Sequence, residues 1–276
     1  EIVINKLRKK FPGVDRIPVL DLANDDDADI ANFGMLLFEK SYRNYCAKQW
    51  DIPTEKLDKS IMNRSAMALG YDERYMNKDF QFLPKNGFTK MFENILNHPN
   101  ITVKRNCDAL EHLKLDYANH TIQYDGHPVE LLVYTGAIDE LFDVKYGELP
   151  YRSLDIRYEW FNQDRIYPEK IISYPQAEGY TRKTEYKFMM YDYSNVEGST
   201  VATEYPIAYV KGGKYAPYYP AITDETKERY AKYVSLKNSF ENIFLCGRLA
   251  EFKYYNMDDC ILRAFEVYKQ IDGYLM

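Results

Sequence analysis

Arginine and tyrosine side chains at turns and segment ends are the residues of this chain whose type suits a binding chemistry. They are Arg182 in the string GYTR, the aromatic corner Tyr218-Tyr219-Pro220, and Arg248 after the segment NIFLCG. The arginine guanidinium is a planar fork of donors that matches diphosphate oxygens. A tyrosine hydroxyl donates to the same oxygens, while its ring packs against a base or a sugar. The pattern favours a nucleotide-sugar or diphosphate site, although tyrosine-rich strands are also ordinary sheet surface.

The motifs of common catalytic sites are absent from the sequence. It contains no GxGxxG, GxxxxGK[ST], GxSxG or HExxH string and no Cys/His metal spacing. Histidine occurs only in one short stretch, at His98, His112, His120 and His127. The second half of the chain therefore offers no histidine as a general base or metal ligand. We expect surface positions for the four histidines and no bound metal.

Composition and charge define the class of protein. The chain has 276 residues, 46% of them apolar, enough for one large domain or two ordinary ones. Its net charge of −6 gives no basic surplus for a nucleic acid, and no apolar run reaches the ~20 residues of a membrane-spanning helix. Widely spaced cysteines without a CxxC pair predict reduced, small apolar thiols at Cys46, Cys107, Cys246 and Cys260. We expect a cytoplasmic protein that binds neither nucleic acid nor membrane.

Hydrophobic periodicity predicts helices in the first part of the chain, where they would position aromatic side chains. Between residues 1 and 75, apolar residues recur at helical steps, at Ile30, Phe33, Leu37 and Tyr45. The acidic residues 25–27 precede this helix, where carboxylates favour the positive end of its dipole. A further helix is expected after the Asn86-Gly87 turn, with an apolar stripe at Phe88, Met91, Phe92, Ile95 and Leu96.

Strands are expected in the middle and later parts of the chain. Short segments at 101–106, 121–126 and 130–136 indicate strands of a partial nucleotide-binding layer. From about 146 to 210 the period becomes two, which predicts antiparallel strands with one packed face. That face is expected to hold Leu154, Ile156, Tyr158 and Trp160 on one strand and Val201, Thr203 and Tyr205 on another. The sequence thus predicts an α+β or α/β fold with a helical subdomain, a partial FAD-type nucleotide layer and an antiparallel sheet.

Seven strings, in the same order along the chain, match one protein family. GRLAEFKYYNMDD (247–259) closely resembles the GRLAEYKYYDM signature of the UDP-galactopyranose mutases. The other matches are YCAKQW (45–50), LPKNGFTKM (83–91), VYTGAIDELFDVKYGELPYRSL (133–154), YTRKTEYK (180–187), EYP (204–206) and PYYP (217–220). The GRLAE, YTGxID and YRSL strings are specific. The chain is therefore identified by resemblance as a member of this family.

The resemblance implies an isomerase that interconverts UDP-galactopyranose and UDP-galactofuranose for cell-surface polysaccharide synthesis. In this family N5 of reduced FAD attacks the anomeric carbon as UDP leaves, and the sugar recloses on that adduct, so the protein supplies no catalytic nucleophile. The family begins with a GxGxxG unit for the FAD pyrophosphate, and this chain matches the part that follows. We therefore expect a C-terminal fragment of a cytoplasmic homodimer, and we expect this fragment to be inactive alone and not to bind FAD tightly.

By the same resemblance the chain divides into four segments. Residues 1–80 correspond to a helical domain with a mobile substrate loop, and 81–142 to part of the FAD-binding domain. Residues 143–240 correspond to the antiparallel-sheet substrate domain, and 241–276 to the closing segment of the FAD-binding domain.

The resemblance also implies site residues, position by position. Arg182 aligns with an arginine that binds the substrate diphosphate, and Arg64 with another on the mobile loop. Substrate contacts are further implied for Tyr45, Trp50, Tyr75, Tyr219, Tyr254 and Asn256. Cofactor contacts are implied for Gly247, Arg248, Met257 and Asp258, with Glu204 as a supporting carboxylate. The alternative for each is a structural role in packing, a surface ion pair or a loop.

Three positions depart from the family pattern. Asn256 stands where YYDM has Asp and removes a negative charge beside the sugar pocket, Asp51 replaces the Gly after KQW, and Ala137 replaces the Pro of TGPID. Two other functions stay open. A non-enzymatic UDP-sugar-binding module is favoured by Asn256 and the absent GxGxxG. Another flavoprotein of the amine-oxidase type is disfavoured by the two diphosphate arginines.

Overall fold

The computed structural model of the protein describes residues 2–57, 66–70 and 80–275. Its helices are α1 (Ile2–Lys10), α2 (Val19–Ala23), α3 (Ala28–Leu37), α4 (Arg43–Trp50), α5 (Gly87–Leu96), α6 (Ala109–His112), α7 (Ile138–Leu141), α8 (Asp224–Asn238) and α9 (Met257–Leu275). Its strands are β1 (Arg16–Ile17), β2 (Met67–Ala68), β3 (Leu113–Asp116), β4 (Thr121–Tyr124), β5 (His127–Pro128), β6 (Leu132–Tyr134), β7 (Tyr151–Phe161), β8 (Ile171–Ser173), β9 (Arg182–Glu185), β10 (Ser199–Ala208), β11 (Tyr219–Pro220) and β12 (Ile243–Leu245). The chain forms two compact units, residues 1–103 with 154–207 and residues 104–153 with 208–276.

The helical part of the first unit packs around a small apolar cluster. Its centre is formed by Leu7, Ile17, Leu22 and Ile30. Asp27 caps α3 by accepting from the amides of Asp29 and Ile30, and Lys6 of α1 forms an ion pair with Asp27 at 2.8 Å. The acidic residues that precede α3 therefore stabilise the start of this helix, as the sequence predicts.

A π-helical turn at Phe38–Tyr42 separates α3 from α4. Ile30 is buried, and Phe33 and Leu37 pack against the apolar cluster, as their spacing predicts. A π-helical turn holds more residues than an α-helical turn and changes the direction in which later side chains point. The predicted helix is therefore confirmed in two parts, and Tyr45 belongs to the second part rather than to the stripe of α3.

The antiparallel strands predicted between residues 146 and 210 are confirmed. The strand order is β11-β7-β10-β9-β8, with β9 between β8 and β10. The predicted packed face is correct for Leu154 and Val201, which are buried, but wrong for Tyr158 and Trp160, which are 62% and 61% exposed. Burial falls along β7 from Tyr151 to Trp160, so the bulky residues Tyr158 and Trp160 follow strand propensity rather than burial.

The second unit contains a short parallel strand pair and an antiparallel hairpin region. β6 and β12 pair in parallel, with Leu132 opposite Ile243, whereas β3, β4 and β5 form a three-stranded antiparallel sheet. β4 and β6 confirm the strands predicted at 121–126 and 130–136. The strand predicted at 101–106 is wrong, because that segment is irregular and its Ile101 and Val103 are exposed. Alternating residue types without burial do not define a strand.

Helix α5 forms where the apolar stripe after Asn86-Gly87 predicts it. None of its residues is buried, and Phe88, Phe92, Ile95 and Leu96 are all exposed. The periodicity therefore predicts the helix correctly, whereas it does not predict the burial of its apolar face.

Candidate functional site

Arg182 occupies the first position of β9, directly opposite Glu204 of β10. Its Nε lies 2.6 Å from Glu204 Oε2. The Glu204 side chain is 9% exposed and the Arg182 side chain is 37% exposed. A buried carboxylate thus fixes the orientation of a partly exposed guanidinium through a charge-assisted contact. This arrangement suits a guanidinium that binds the oxygens of a phosphate.

Strand β9 is anchored on both sides of Arg182. The amide of Thr181 donates to the carbonyl of Glu204 at 3.0 Å, and the Thr181 side chain is fully buried. At the other end, the carboxylate of Glu185 is also fully buried. It accepts hydrogen bonds from Ile166 N at 3.1 Å, Tyr167 N at 3.0 Å and Ser199 Oγ at 2.6 Å. Each buried oxygen has a donor, as a stable buried carboxylate requires.

Helix α4 carries the aromatic residues Tyr45 and Trp50, which the sequence assigns to the substrate. Tyr45 is half-buried, whereas Trp50 is only 5% exposed. Asp51 ends the helix in the left-handed conformation, with φ of 55°. Glycine adopts this conformation without strain, and Asp is among the few other residues that tolerate it. The replacement of the family's Gly by Asp51 therefore keeps the backbone of the helix end.

Ala137, the other backbone departure from the family pattern, is similarly conservative. It precedes α7 with φ of −67° and ψ of 126°. The ring of proline fixes φ near −65°. Ala137 therefore keeps the backbone angle that the family's Pro would impose.

Arg248 is the centre of a group of residues in the second unit. Its Nη1 donates to Tyr218 O at 2.8 Å, its Nε donates to Tyr255 O at 3.0 Å, and its Nη2 also donates to Tyr255 O. Its guanidinium carbon lies 5.0 Å from the ring centroid of Tyr219 and 4.5 Å from that of Tyr254. The two rings stack at 5.7 Å with an interplanar angle of 7°. The structure thus brings together three residues that the sequence assigns to the site.

The contacts of this group determine what it can do chemically. A guanidinium beside aromatic faces is attracted by their electron-rich surfaces. Carbonyl oxygens hold Arg248 without neutralising its charge, so the group keeps a positive charge next to two flat rings. A flat, electron-rich or anionic ligand matches such a surface.

The loop that carries Arg248 is tied to α9 by Glu251. Gly247 has φ of 96°, and apart from its chain neighbours no atom of the described residues lies within 4 Å of the position that a Cβ would occupy. The Gly247 amide donates to Glu251 Oε2 at 2.9 Å, and Arg263 Nε of α9 donates to Glu251 Oε1 at 2.7 Å. The glycine therefore allows a left-handed turn with open space beside the backbone.

Asn256 starts helix α9. Its amide donates to Asp259 Oδ2 at 3.0 Å, and its carbonyl accepts from Cys260 N at 3.0 Å. This is the backbone half of a capping box, in which a side chain three residues later satisfies the amide of the capping residue. Met257 and Asp258 follow in the first turn, and both are exposed. Asn256 therefore has a structural role in addition to the substrate role that the resemblance implies.

Two of the site residues implied by the sequence, Arg64 and Tyr75, lie outside the described residues. Sequence reasoning missed Lys48, whose Nζ donates to three backbone carbonyls between residues 174 and 180. Lys48 lies within the matching string YCAKQW, which is a signal that could have singled it out. Its acceptors are main-chain atoms, which no pattern of side chains reveals.

Residues 2–57, 66–70 and 80–275 also bear on metal binding, thiol chemistry and membrane insertion. There, no group of three or more His, Cys, Asp or Glu residues is arranged to hold a metal ion. All four cysteines lie in these ranges and are free thiols, and burial raises the pKa of Cys46 to about 11. No helix in these ranges has the length and apolar character to cross a bilayer.

The described residues form a mixed α/β protein with a five-stranded antiparallel sheet and with arginine side chains held by a carboxylate, carbonyls and tyrosine rings. The family model described as UDP-galactopyranose mutase matches residues 40–254. The chain belongs to the UDP-galactopyranose mutase family.

Individual relatives agree with this assignment. The chain is 30% identical to the UDP-galactopyranose mutase of Mycoplasma pneumoniae over 98% of its length and 68% of that protein. It is 33% identical to a probable UDP-galactopyranose mutase of Klebsiella pneumoniae, with 84% and 57% covered. It is also 31% identical to a dTDP-fucopyranose mutase of Escherichia coli, with 83% and 59% covered. The chain thus spans between about three fifths and two thirds of the length of these relatives.

A solved structure supports the fold. A crystal structure of reduced UDP-galactopyranose mutase superposes with a TM-score of 0.65 at 13% identity. The match covers 99% of this chain and 71% of that one.

Proposed function

We propose that this chain binds UDP-galactose and UDP-galactofuranose and takes part in their flavin-dependent interconversion. Family membership supports the class of reaction, and the pairing of Arg182 with Glu204 is the observation that carries the assignment to a diphosphate ligand. A buried carboxylate that orients a partly exposed guanidinium provides a fixed cation for the phosphate oxygens.

The residues of this chain would bind, orient and stabilise rather than transfer protons. Arg182 would hold the diphosphate, both in the bound sugar nucleotide and after the bond to the sugar breaks. A cation fixed in advance stabilises the negative charge that develops on a departing diphosphate without a reorganisation cost. Tyr45 and Trp50 would contact the nucleoside, and Tyr219 and Tyr254 would contact the sugar and phosphate. No histidine is required for this division of roles.

The residues around Arg248 fit a flavin ring. The open space beside Gly247 allows a flat ring to approach the backbone, and Arg248 is held by carbonyls with its positive charge retained. Met257 and Asp258 begin α9, where the first amides of a helix have no partners within the helix. Asp258 and Asp259 make this turn acidic, so it suits the neutral carbonyl oxygens of the ring better than a pyrophosphate. When bound, reduced FAD would supply the nucleophile of the reaction.

Calorimetry with the whole chain tests the substrate assignment. We expect UDP-galactose to bind at least tenfold more tightly than ADP-glucose, since the two share the ribose, the diphosphate and a hexose but differ in the base and in the configuration at C4 of the sugar. Equal affinity for the two sugar nucleotides, or no heat of binding with UDP-galactose, would contradict the proposal. Mutase activity is tested separately, by chromatography of the sugar nucleotides after incubation with FAD in its reduced and oxidised forms.

A second candidate substrate class is a deoxythymidine diphosphate sugar. The similarity to the dTDP-fucopyranose mutase is as high as that to two of the UDP-galactopyranose mutases, at 31% against 30% and 31% identity. UDP and dTDP differ at the ribose 2′-hydroxyl and at the methyl group of the base. Competition between the two nucleotides for the same site separates these candidates, and the tighter binder identifies the substrate class.

A further inference from the structure

Lys48 of α4 donates hydrogen bonds to three backbone carbonyls of one loop. Its Nζ donates to Tyr174 O at 2.9 Å, Ala177 O at 2.5 Å and Tyr180 O at 2.8 Å. These carbonyls belong to the loop of residues 174–181, which joins β8 to β9 and leads directly into Arg182. An ammonium group has three donors and no acceptor, so three converging carbonyls match its bonding capacity.

A second contact joins the same loop to the same helical segment. Gln176 Nε2 donates to Glu39 O at 3.1 Å and to Lys40 O at 2.7 Å, inside the π-helical turn. Asn44 Nδ2 of α4 donates in return to Gln176 Oε1 at 2.9 Å. A π-helical turn exposes carbonyls that an α-helix would use itself, and such turns are frequent at functional sites. The loop is thus held by two separate sets of hydrogen bonds.

The contacts of Lys48 are partly buried, whereas those of Gln176 are exposed. Hydrogen bonds made by a charged donor away from water contribute more than exposed ones between neutral groups. Burial also lowers the pKa of Lys48 from its ordinary value. Lys48 is therefore the dominant contact of the two, and Gln176 is the supporting one.

We propose that Lys48 is a positioning residue that holds the nucleoside-binding helix α4 against the strand that carries the diphosphate-binding Arg182. This inference rests on the proposed function, which assigns Tyr45 and Trp50 to the nucleoside and Arg182 to the diphosphate. All of these residues belong to the first unit. UDP contacts both parts of this arrangement, whereas uridine contacts only α4.

The relative position of the two parts matters only for a ligand that spans them. Two linked binding groups gain affinity when their separation matches that of their sites, and they lose it when one site moves relative to the other. Loss of Lys48 therefore weakens UDP binding and has little effect on uridine. A residue that only stabilised α4 would weaken both ligands equally.

Calorimetry of UDP and uridine with Lys48→Met tests this role. We expect UDP affinity to fall at least tenfold and uridine affinity to change less than twofold. Lys48→Arg, which retains donors and charge, should recover most of the UDP affinity. Gln176→Leu, at an exposed side chain, should weaken UDP two- to fivefold. Lys40→Met, an exposed lysine on the same helical segment, is the matched control and should bind both ligands as the unmodified chain does.

Hydrogen exchange at the amide of Ala177 tests the contact without any ligand. This amide donates to Tyr174 O at 3.3 Å within the loop, and we expect its exchange to accelerate at least tenfold in Lys48→Met but not in Lys40→Met. Unchanged exchange, or an equal loss of UDP and uridine affinity, overturns the positioning role. If the unmodified chain fails to bind UDP, the proposed function is wrong, and the exchange rates still decide whether Lys48 holds the loop.

Discussion

The two units of the molecule hold their candidate site arginines in different ways. In the first unit, Glu204 is paired with Arg182 at 2.6 Å, and Glu185 accepts from three donors. In the second unit, Arg248 is held by carbonyl oxygens and aromatic rings. There, the buried Asp139 accepts from Leu149 N at 2.9 Å, and its other oxygen has no hydrogen-bond partner among the described residues.

This difference is consistent with the two ligands proposed above, a sugar nucleotide in the first unit and a flavin in the second. A guanidinium fixed by a carboxylate has a defined direction, which a diphosphate with its several oxygens requires. A guanidinium held by neutral groups leaves a net positive charge beside the rings, which suits a planar cofactor. The first unit therefore fixes its site arginine through a paired charge, and the second fixes its site arginine through neutral hydrogen bonds and ring contacts.

The largest effect is expected for Glu185→Ala, which removes the buried carboxylate that anchors the end of β9 in the first unit. The substitution leaves the amides of Ile166 and Tyr167 and the hydroxyl of Ser199 without their acceptor. An unsatisfied buried donor costs about 1–3 kcal/mol, so we expect the free energy of unfolding of the first unit to fall by about 3 kcal/mol. Urea denaturation measures it. The exposed Glu159→Ala on β7 is the control and should change it by less than about 0.5 kcal/mol. Equal effects of the two variants would show that the Glu185 carboxylate does not anchor the end of β9.

Arg248→Met tests the contribution of the carbonyl and ring contacts that hold Arg248 in the second unit. The variant keeps an apolar chain beside the rings but removes the donors to Tyr218 O and Tyr255 O. We expect a loss of about 2 kcal/mol in the free energy of unfolding, from the lost charge-assisted hydrogen bonds and cation–π contacts. Near-ultraviolet circular dichroism should show altered tyrosine signals. Lys232→Met on α8 provides the control, and a variant as stable as that control would show that the rings alone hold the loop.

The pH dependence of the free energy of unfolding in Asp139→Asn tests the role of the buried Asp139 carboxylate. Burial is the main cause that raises the pKa of Asp139 above its ordinary value of 3.8. Because the pKa of Asp139 is raised in the folded state, its contribution to the free energy of unfolding is fully present below pH 3.8. This contribution is lost as the pH rises through the raised pKa. We expect Asp139→Asn to reduce this decline in denaturation measured between pH 3 and 7. The exposed Asp143→Asn should leave the decline unchanged, and a decline that persists in Asp139→Asn would exclude Asp139 as its source.

Asn256→Asp restores the family's residue and adds a negative charge directly after Tyr255, whose carbonyl accepts from Arg248. Asn and Asp are about equally good at the start of a helix, and the backbone bond to Asp259 does not depend on the side chain of residue 256. We expect the free energy of unfolding to change by less than about 0.5 kcal/mol. A larger loss would show that the amide group of Asn256 has a structural role that Asp cannot take over.

The sequence predicts a considerable part of the fold for physical reasons. The cap formed by Asp27, the helix after Asn86-Gly87 and the long antiparallel strands all depend on local chemistry and periodicity. The exposure of Tyr158 and Trp160 could not be predicted, because it depends on how far the rest of the unit covers β7. The strand expected at 101–106 fails because alternating residue types at Ile101 and Val103 do not ensure burial.

The site, like the fold, has features that the sequence predicts and features that depend on the three-dimensional structure. Strings such as GYTR and GRLAE identify Arg182 and Arg248, and the structure shows that one pairs with a carboxylate and the other with carbonyls and rings. The pairing of Arg182 with Glu204 depends on strand register, which the spacing of the two residues does not reveal. Lys48 was missed because its partners are backbone atoms more than 120 residues away.

The most direct test of the central claim, that Arg182 binds the diphosphate, is the affinity of Arg182→Ala for UDP and for uridine. A charge-assisted contact of this kind contributes about 1.5–3 kcal/mol. Calorimetry should therefore show UDP binding weakened about 10- to 150-fold, while uridine affinity stays within twofold of that of the unmodified chain. A loss of less than about 0.5 kcal/mol for UDP in the folded variant would contradict the claim, and Arg182 would then be only a structural partner of Glu204.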